Sequence, residues 1–174
     1  MGGINRTVDP AVVLRRKTGG VKKLFHASFA YAIAGVLSGL YYRELTKING
    51  FTGDSQLGLV HTHWLVLGFI VLLLVLGLEK VFAISAAAPR LFAWFFWIWN
   101  AGVVVTGGMM LVKGTLVVAG LDASSKALAG IAGTGHMLLT AGLVLLFLAL
   151  RKALTAAATD APSAVPPLPV AAKA

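Results

Sequence analysis

The chain contains no cysteine. Disulfide bonds, thiolate metal sites, iron–sulfur clusters and covalently attached c-type haem are therefore excluded, because each of them requires a cysteine sulfur. A metal ion held by this protein must be bound through nitrogen, oxygen or thioether sulfur.

Charged residues are also scarce. They make up 12% of the chain, and 58% of its residues are apolar or aromatic, whereas soluble domains average roughly 25% and 45–50%. This composition indicates an integral membrane protein. The formal net charge is +9, but the basic residues lie at the ends of apolar runs rather than in one patch with interleaved aromatics. We therefore expect them to contact lipid headgroups and expect no nucleic acid partner.

Four apolar runs are long enough to cross a bilayer, and they predict helices over about residues 24–42, 58–78, 91–112 and 127–150. The predicted fold is an all-α, polytopic four-helix membrane bundle. Residues 1–22 are predicted to form a basic arm, residues 23–152 the transmembrane domain, and the Ala/Pro-rich residues 153–174 a disordered tail. The first run is too long for a signal-peptide core, so we expect it to be retained.

The basic residues are distributed unequally between the two sides of this bundle. Eleven of the 15 lie on the side that holds both termini, so the positive-inside rule predicts that both termini are cytoplasmic. Each helical hairpin also ends in a helix with an outer histidine and a glycine six or seven positions later, Gly68 after His61 and Gly142 after His136. This pattern suggests two pseudo-repeated hairpins.

Three histidines, His61, His63 and His136, lie in the outer parts of the predicted helices. Counted from Lys80 or Lys152 at about 1.5 Å per residue, they lie roughly 28, 26 and 24 Å above the inner ends of their helices. Ionisable side chains are costly inside a bilayer and usually serve a function there. These histidines are therefore the candidate functional residues.

The two histidines of the second helix occupy different faces, because residues two apart on an α-helix point about 200° from each other. His63 lies on a face of large apolar residues. His61 shares its face with Gly58, Leu65, Gly68 and Glu79. An interior face is expected to carry small and polar residues. His61 is therefore the predicted interior ligand and His63 its substitute.

Histidines on facing helices of a four-helix bundle are what a b-type haem requires, because its iron takes axial imidazoles on both sides of a flat ring. We therefore predict one haem b between helices two and four, with His61 and His136 as iron ligands. Arg43 at the outer side is expected to pair with a haem propionate. The other candidate cofactor-binding residues are two glycines that leave room and a mid-span amide: Gly68, Gly133 and Asn100.

Several alternatives to haem binding stay open. A membrane histidine can simply bond a neighbouring group, as Asn100 or Thr140 would allow. The chain can also be a small transporter, a proton-binding or metal-binding protein, or an accessory subunit whose Gly35 and Gly39 face docks on a larger complex. A homo-oligomer is compatible with each of these, and whether the chain is an enzyme stays open. We expect Glu79, beside Lys80, to be a solvated charge, with a proton-pathway role as the alternative.

The chain resembles the bacterial DUF2871 family of four-helix membrane proteins, which implies an inner-membrane location and the fold but no reaction. The resemblance covers about residues 23–152 and is carried by the segments LFHASFAY at 24–31, YRE at 42–44, NGFTGD at 49–54, VHTH at 60–63 and LG at 67–68.

The first two helices are more distantly similar to those of the catalytic subunits of haem–copper oxidases and nitric oxide reductases. In those subunits a histidine at the outer end of helix two binds the low-spin haem, which implies that His61 is a ligand here. Four helices cannot supply the twelve of such a subunit, and a three-histidine copper site is missing from the sequence. The resemblance therefore implies haem binding, with an electron-transfer or gas- and redox-related function expected, and does not imply oxygen or nitric oxide reduction.

Overall fold

The computed structural model describes the backbone of residues 10–159 and the side chains of residues 19–159. That part of the chain is helical and contains no strand. We name four long helices and one short connecting helix between the second and third. Helix one is Pro10–Ile48, helix two Leu57–Phe82, the connecting helix Ile84–Ala87, helix three Pro89–Val118 and helix four Lys126–Thr159.

Each of the four long helices is long and apolar enough to cross a membrane; in helix one this portion is Gly19–Ile48. The prediction of an all-α four-helix membrane protein is confirmed. We call the end of the bundle that carries His61, His63 and His136 the histidine end. The opposite end, which carries Lys23, Lys80 and Lys152, is the lysine end.

The helices extend beyond the predicted bounds. Helix one begins inside the predicted arm, and helix four continues into the predicted tail. Hydropathy marks the lipid-facing part of a helix, whereas turn residues end it. Gly50 and Gly120, with φ of 58° and 70°, follow helices one and three in the left-handed region that favours glycine. Residues 1–9 of the arm and 160–174 of the tail lie outside the described residues.

Helices one and two pack antiparallel through contacts in which a glycine of one helix faces a larger side chain of the other. The pairs are Gly20 with Glu79, Tyr31 with Gly68, Gly35 with Leu65, Gly39 with His61 and Tyr42 with Gly58. The face of helix two that carries His61 therefore packs on helix one. The prediction that the Gly35 and Gly39 face docks on a larger complex is wrong, because helix two covers both glycines.

Helix three lies between helices two and four at the histidine end. Its contacts are Gly107 with Trp64 and Gly114 with Leu57 on one side, and Thr106 with Gly135 and Trp99 with Gly142 on the other. Glycine lacks a side chain, so these pairs allow close approach of the helix backbones. As a result, no Cα atom of residues 57–70 comes within 8 Å of a Cα atom of helix four.

At the lysine end the four helices and the connecting helix enclose the main apolar core. Every long helix contributes large buried members, Leu24, Leu72, Phe92, Phe95, Phe96, Trp99 and Leu146, and the connecting helix contributes Ile84. Burial of such side chains is the packing that holds the connecting helix against the bundle.

Candidate functional site

Helix two changes from α-helical to π-helical directly after His63. The π segment is Trp64–Ile70, and the helix is α-helical again from Val71. π turns are rare and frequently occur at functional sites. Helix four is α-helical throughout its described length, so the two proposed hairpin repeats differ at this point. Sequence periodicity missed the π segment, because it assumed 3.6 residues per turn along the whole run.

His61 lies at the contact between helices one and two. A Cβ atom at Gly39 would be 3.7 Å from the Cβ atom of His61, which is ordinary van der Waals contact. Its Nδ1 atom is buried and has no hydrogen-bond partner among the described residues. Its Nε2 atom is 3.3 Å from the Thr62 hydroxyl oxygen. The imidazole therefore faces helix one rather than helix four.

His63 is half-buried, and its Nδ1 atom lies 2.9 Å from the backbone oxygen of Leu59, one turn earlier. A carbonyl oxygen only accepts hydrogen bonds, so Nδ1 is the donor, and the neutral tautomer that fits this bond has its proton on Nδ1. Nε2 then has a free lone pair. This tautomer is the one that a metal-ligating histidine commonly has when a carbonyl orients the ring.

His136 is exposed on helix four, and its Nδ1 atom lies 3.3 Å from the backbone oxygen of Ala132. The same argument assigns the proton to Nδ1 and a free lone pair to Nε2. A Cβ atom at Gly133, one turn away, would meet nothing within 4 Å. His136 therefore presents an unhindered nitrogen donor on the outside of the described bundle.

The structure does not bring His61 and His136 together. His61 faces helix one, His136 faces away from the bundle, and helix three separates their helices at this depth. The donor chemistry of a bis-histidine haem site is present, but the described residues of helices two and four leave no slot for the ring between them in one chain. Hydropathy and helical angle could not reveal this, because neither says which helices are neighbours.

The remaining candidate cofactor residues make structural contacts. Gly68 receives the ring of Tyr31 from helix one, so it leaves no room for a cofactor. The Asn100 side-chain amide donates to the Phe96 oxygen at 2.6 Å. Arg43 is exposed, with its Nε atom 3.6 Å from an oxygen of Glu44.

Thr140 and Asn100, the two expected hydrogen-bond partners of a histidine ring, do not bond to one. The hydroxyl of Thr140 donates to the backbone oxygen of His136, at 3.0 Å, and does not reach the imidazole. The side-chain amide of Asn100 donates to a backbone oxygen of its own helix.

Between residues 19 and 159, no group of three or more His, Cys, Asp or Glu side chains lies close enough together to hold a metal ion.

Two further buried polar atoms near the histidine end have no partner among the described residues: Nε1 of Trp64 and the hydroxyl of Thr106. Trp64 packs on Gly107, and Thr106 on Gly135. Buried polar atoms in native structures are nearly always hydrogen-bonded. At these two contacts of helix three, the helix backbones approach closely and the buried polar atoms stay without a hydrogen bond among the described residues.

Sequence reasoning was wrong about Glu79. Its side chain is only 3% exposed, and its carboxylate accepts hydrogen bonds from the backbone N–H of Ser85, at 2.8 Å, and from the Ser85 hydroxyl. The carboxylate thereby caps the connecting helix. Ala83 makes the corner between Glu79 and Ser85, in the left-handed region with φ of 49°. A corner of this kind leaves no signal in hydropathy.

Comparison with known proteins identifies a family for most of the chain. Residues 21–153 match the DUF2871 family, described as a protein of unknown function. No match was found among curated proteins or among solved structures. The more distant similarity to haem–copper oxidase subunits therefore stays a prediction.

Proposed function

We propose that this chain, which belongs to the DUF2871 family, is a bacterial inner-membrane protein with cytoplasmic termini that binds b-type haem at its histidine end. One observation carries the proposal. His136 places an imidazole, with Nδ1 held by a backbone carbonyl and Nε2 without a partner among the described residues, on the exposed surface of a membrane-spanning helix. An ionisable side chain is costly in lipid, so such a position is expected to have a partner.

His63 supplies a second donor of the same kind. Its Nδ1 atom is held by a backbone carbonyl one turn earlier, as that of His136 is. This arrangement orients the ring and leaves Nε2 for iron. By residue count the two histidines lie at similar depth, roughly 26 and 24 Å from the lysine end. The π segment that follows His63 adds support, because such segments are frequent at functional sites.

Helix three separates helices two and four, so we assign the two ligands of one haem to two copies of the chain. His136 comes from one copy, and His63 comes from the other, with His61 as the alternative. The open surface at Gly133 leaves space beside His136 for the ring. When bound, haem iron supplies one-electron redox chemistry. The protein residues hold and orient the ring and keep water away from it.

The test is the absorption spectrum of the full chain, purified in mild detergent from haem-replete cells. We expect a Soret band and a reduced α-band, both lost in His136→Ala and His63→Ala. The matched control is His26→Ala. His26 has the same type of hydrogen bond, from Nδ1 to the Lys22 oxygen at 2.7 Å, but lies at the lysine end, so its loss is expected to leave the bands unchanged. A colourless wild-type protein would contradict haem binding.

Mixing the two variants tests the assignment to two copies. Neither His63→Ala nor His136→Ala has a complete ligand pair, but an oligomer containing one copy of each regains one pair. We expect co-expression to restore part of the Soret band. If co-expression leaves the mixture colourless while the wild type is coloured, the ligands do not come from two copies.

The alternatives predict different readings in the same preparation. A stoichiometric metal ion without haem bands favours the haem-free reading, in which the histidines bind a metal. A protein that binds protons or a transported molecule would show neither haem absorption bands nor a stoichiometric metal ion.

A further inference from the structure

A cavity of about 210 Å³ lies between helices one and three at the lysine end. Helix one contributes Gly20 and Lys23 to its wall, and helix three contributes Phe92, Phe96 and Trp97. The histidines lie at the opposite end of the bundle. This cavity is therefore separate from the proposed haem site.

The wall of the cavity is amphipathic. Lys23 is the charged side chain among its lining residues, and the aromatic rings of Phe92, Phe96 and Trp97 form an apolar part. Phe92 and Phe96 are buried, whereas Trp97 is 65% exposed. A cation beside an aromatic surface at the end of a membrane helix matches the boundary between lipid headgroups and acyl chains.

One carboxylate lies just behind the cavity wall, because a Cβ atom at Gly20 would be 3.0 Å from Oε1 of Glu79. Glu79 is buried and does not line the wall, and its carboxylate accepts hydrogen bonds from the backbone N–H and hydroxyl of Ser85. The neighbouring chain is basic, with Lys22 beside Lys23 and Arg90 at the start of helix three. The formal charges of Lys22, Lys23, Arg90 and Glu79 together are therefore positive.

We propose that this cavity binds one anionic phospholipid. Its phosphate pairs with the ammonium group of Lys23, and part of an acyl chain lies along Phe92, Phe96 and Trp97. A zwitterionic lipid offers the same acyl chains without net negative charge, and free phosphate offers the charge without the chains. The cavity therefore binds the phosphate and part of an acyl chain of the same lipid molecule.

The test measures the unfolding midpoint of the purified full chain in detergent, with increasing phosphatidylglycerol, phosphatidylcholine or inorganic phosphate. We expect phosphatidylglycerol to raise the midpoint and the other two to leave it nearly unchanged. Lys23→Ala is expected to weaken the apparent affinity for phosphatidylglycerol about fivefold, the effect of one lysine near an anionic surface. Lys22→Ala is the matched control, because Lys22 is exposed and outside the cavity wall.

A second variant tests the apolar part without a change in charge. Ala93 lines the cavity and is exposed, so Ala93→Phe is expected to narrow it and to reduce the effect of phosphatidylglycerol. Equal responses of Lys23→Ala and Lys22→Ala would overturn the proposal. An equal response of the wild type to phosphatidylcholine or to phosphate alone would overturn it too. None of these readings depends on haem.

Discussion

Helices two and four both carry glycines and a histidine at similar depth, yet their surroundings at the histidine end are opposite. Helix two contacts both helix one and helix three, and its Trp64 and Leu57 side chains occupy the space beside Gly107 and Gly114 of helix three. Helix four contacts helix three only on one side, and Gly130 and Gly133 face open space. The same residue types therefore serve packing in one region and leave a free surface in the other.

The largest expected effect compares an enclosed glycine with an open one. A Cβ atom at Gly114 would overlap the backbone of Leu57, which cannot rotate away. We expect Gly114→Ala to lower the free energy of unfolding by about 3 kcal/mol, the upper part of the range for overpacking. Gly133→Ala meets nothing within 4 Å, and is expected to raise it by about 0.5 kcal/mol through helix propensity. Equal losses in the two variants, measured by unfolding in detergent, would remove the contrast.

The next largest effect on the free energy of unfolding is expected at the lysine end, where helix four shares the main apolar core with the other three helices. Glu79→Ala leaves the buried backbone N–H of Ser85 without its acceptor. We expect the free energy of unfolding to fall by about 1–3 kcal/mol. Glu44→Ala is the control, because that side chain is 54% exposed and surface substitutions stay within about 0.5 kcal/mol. A Glu79→Ala variant as stable as Glu44→Ala would show that the carboxylate does not hold the corner.

A smaller effect on the free energy of unfolding is expected at the contact between helices three and four. The hydroxyl of Thr106 is buried against Gly135 without a hydrogen-bond partner among the described residues. Valine has nearly the same shape without the hydroxyl, so Thr106→Val is expected to raise the unfolding free energy by about 1 kcal/mol. Thr140→Val, on the open face of helix four, should change it by less than about 0.5 kcal/mol. Destabilisation by Thr106→Val would reveal a partner for this hydroxyl.

The smallest effect lies in the connection that leads into helix four. Ser124 donates hydrogen bonds to the Asp122 carboxylate, through its side chain and its backbone N–H, and these lower the pKa of Asp122. The ionised form therefore stabilises the folded connection above the ordinary pKa of aspartate, and this contribution is lost as the pH falls through the lowered pKa. Asp122→Asn is expected to reduce slightly the difference between unfolding midpoints at neutral and acidic pH. An unchanged difference would contradict a role for this carboxylate.

Much of helix two was predictable from its residues. Helical angle placed His61, Gly68 and Glu79 on one face, and that face is the one buried against helix one. The predicted face is confirmed, although the angle argument assumed 3.6 residues per turn through the π segment Trp64–Ile70. The burial of Glu79 was missed because its acceptor role needs Ser85, beyond a corner that Ala83 makes in the left-handed region.

The sequence by itself determined that the chain forms four helices long and apolar enough to span a membrane and that three of its four histidines lie near one end. Hydropathy and residue count are properties of each segment alone. Only the tertiary structure decided that helix three separates His61 from His136, that helix two covers Gly35 and Gly39, and that His136 faces outward. Those outcomes depend on which backbones can approach each other. Glycines on several helices permit more than one arrangement, and packing selects among them.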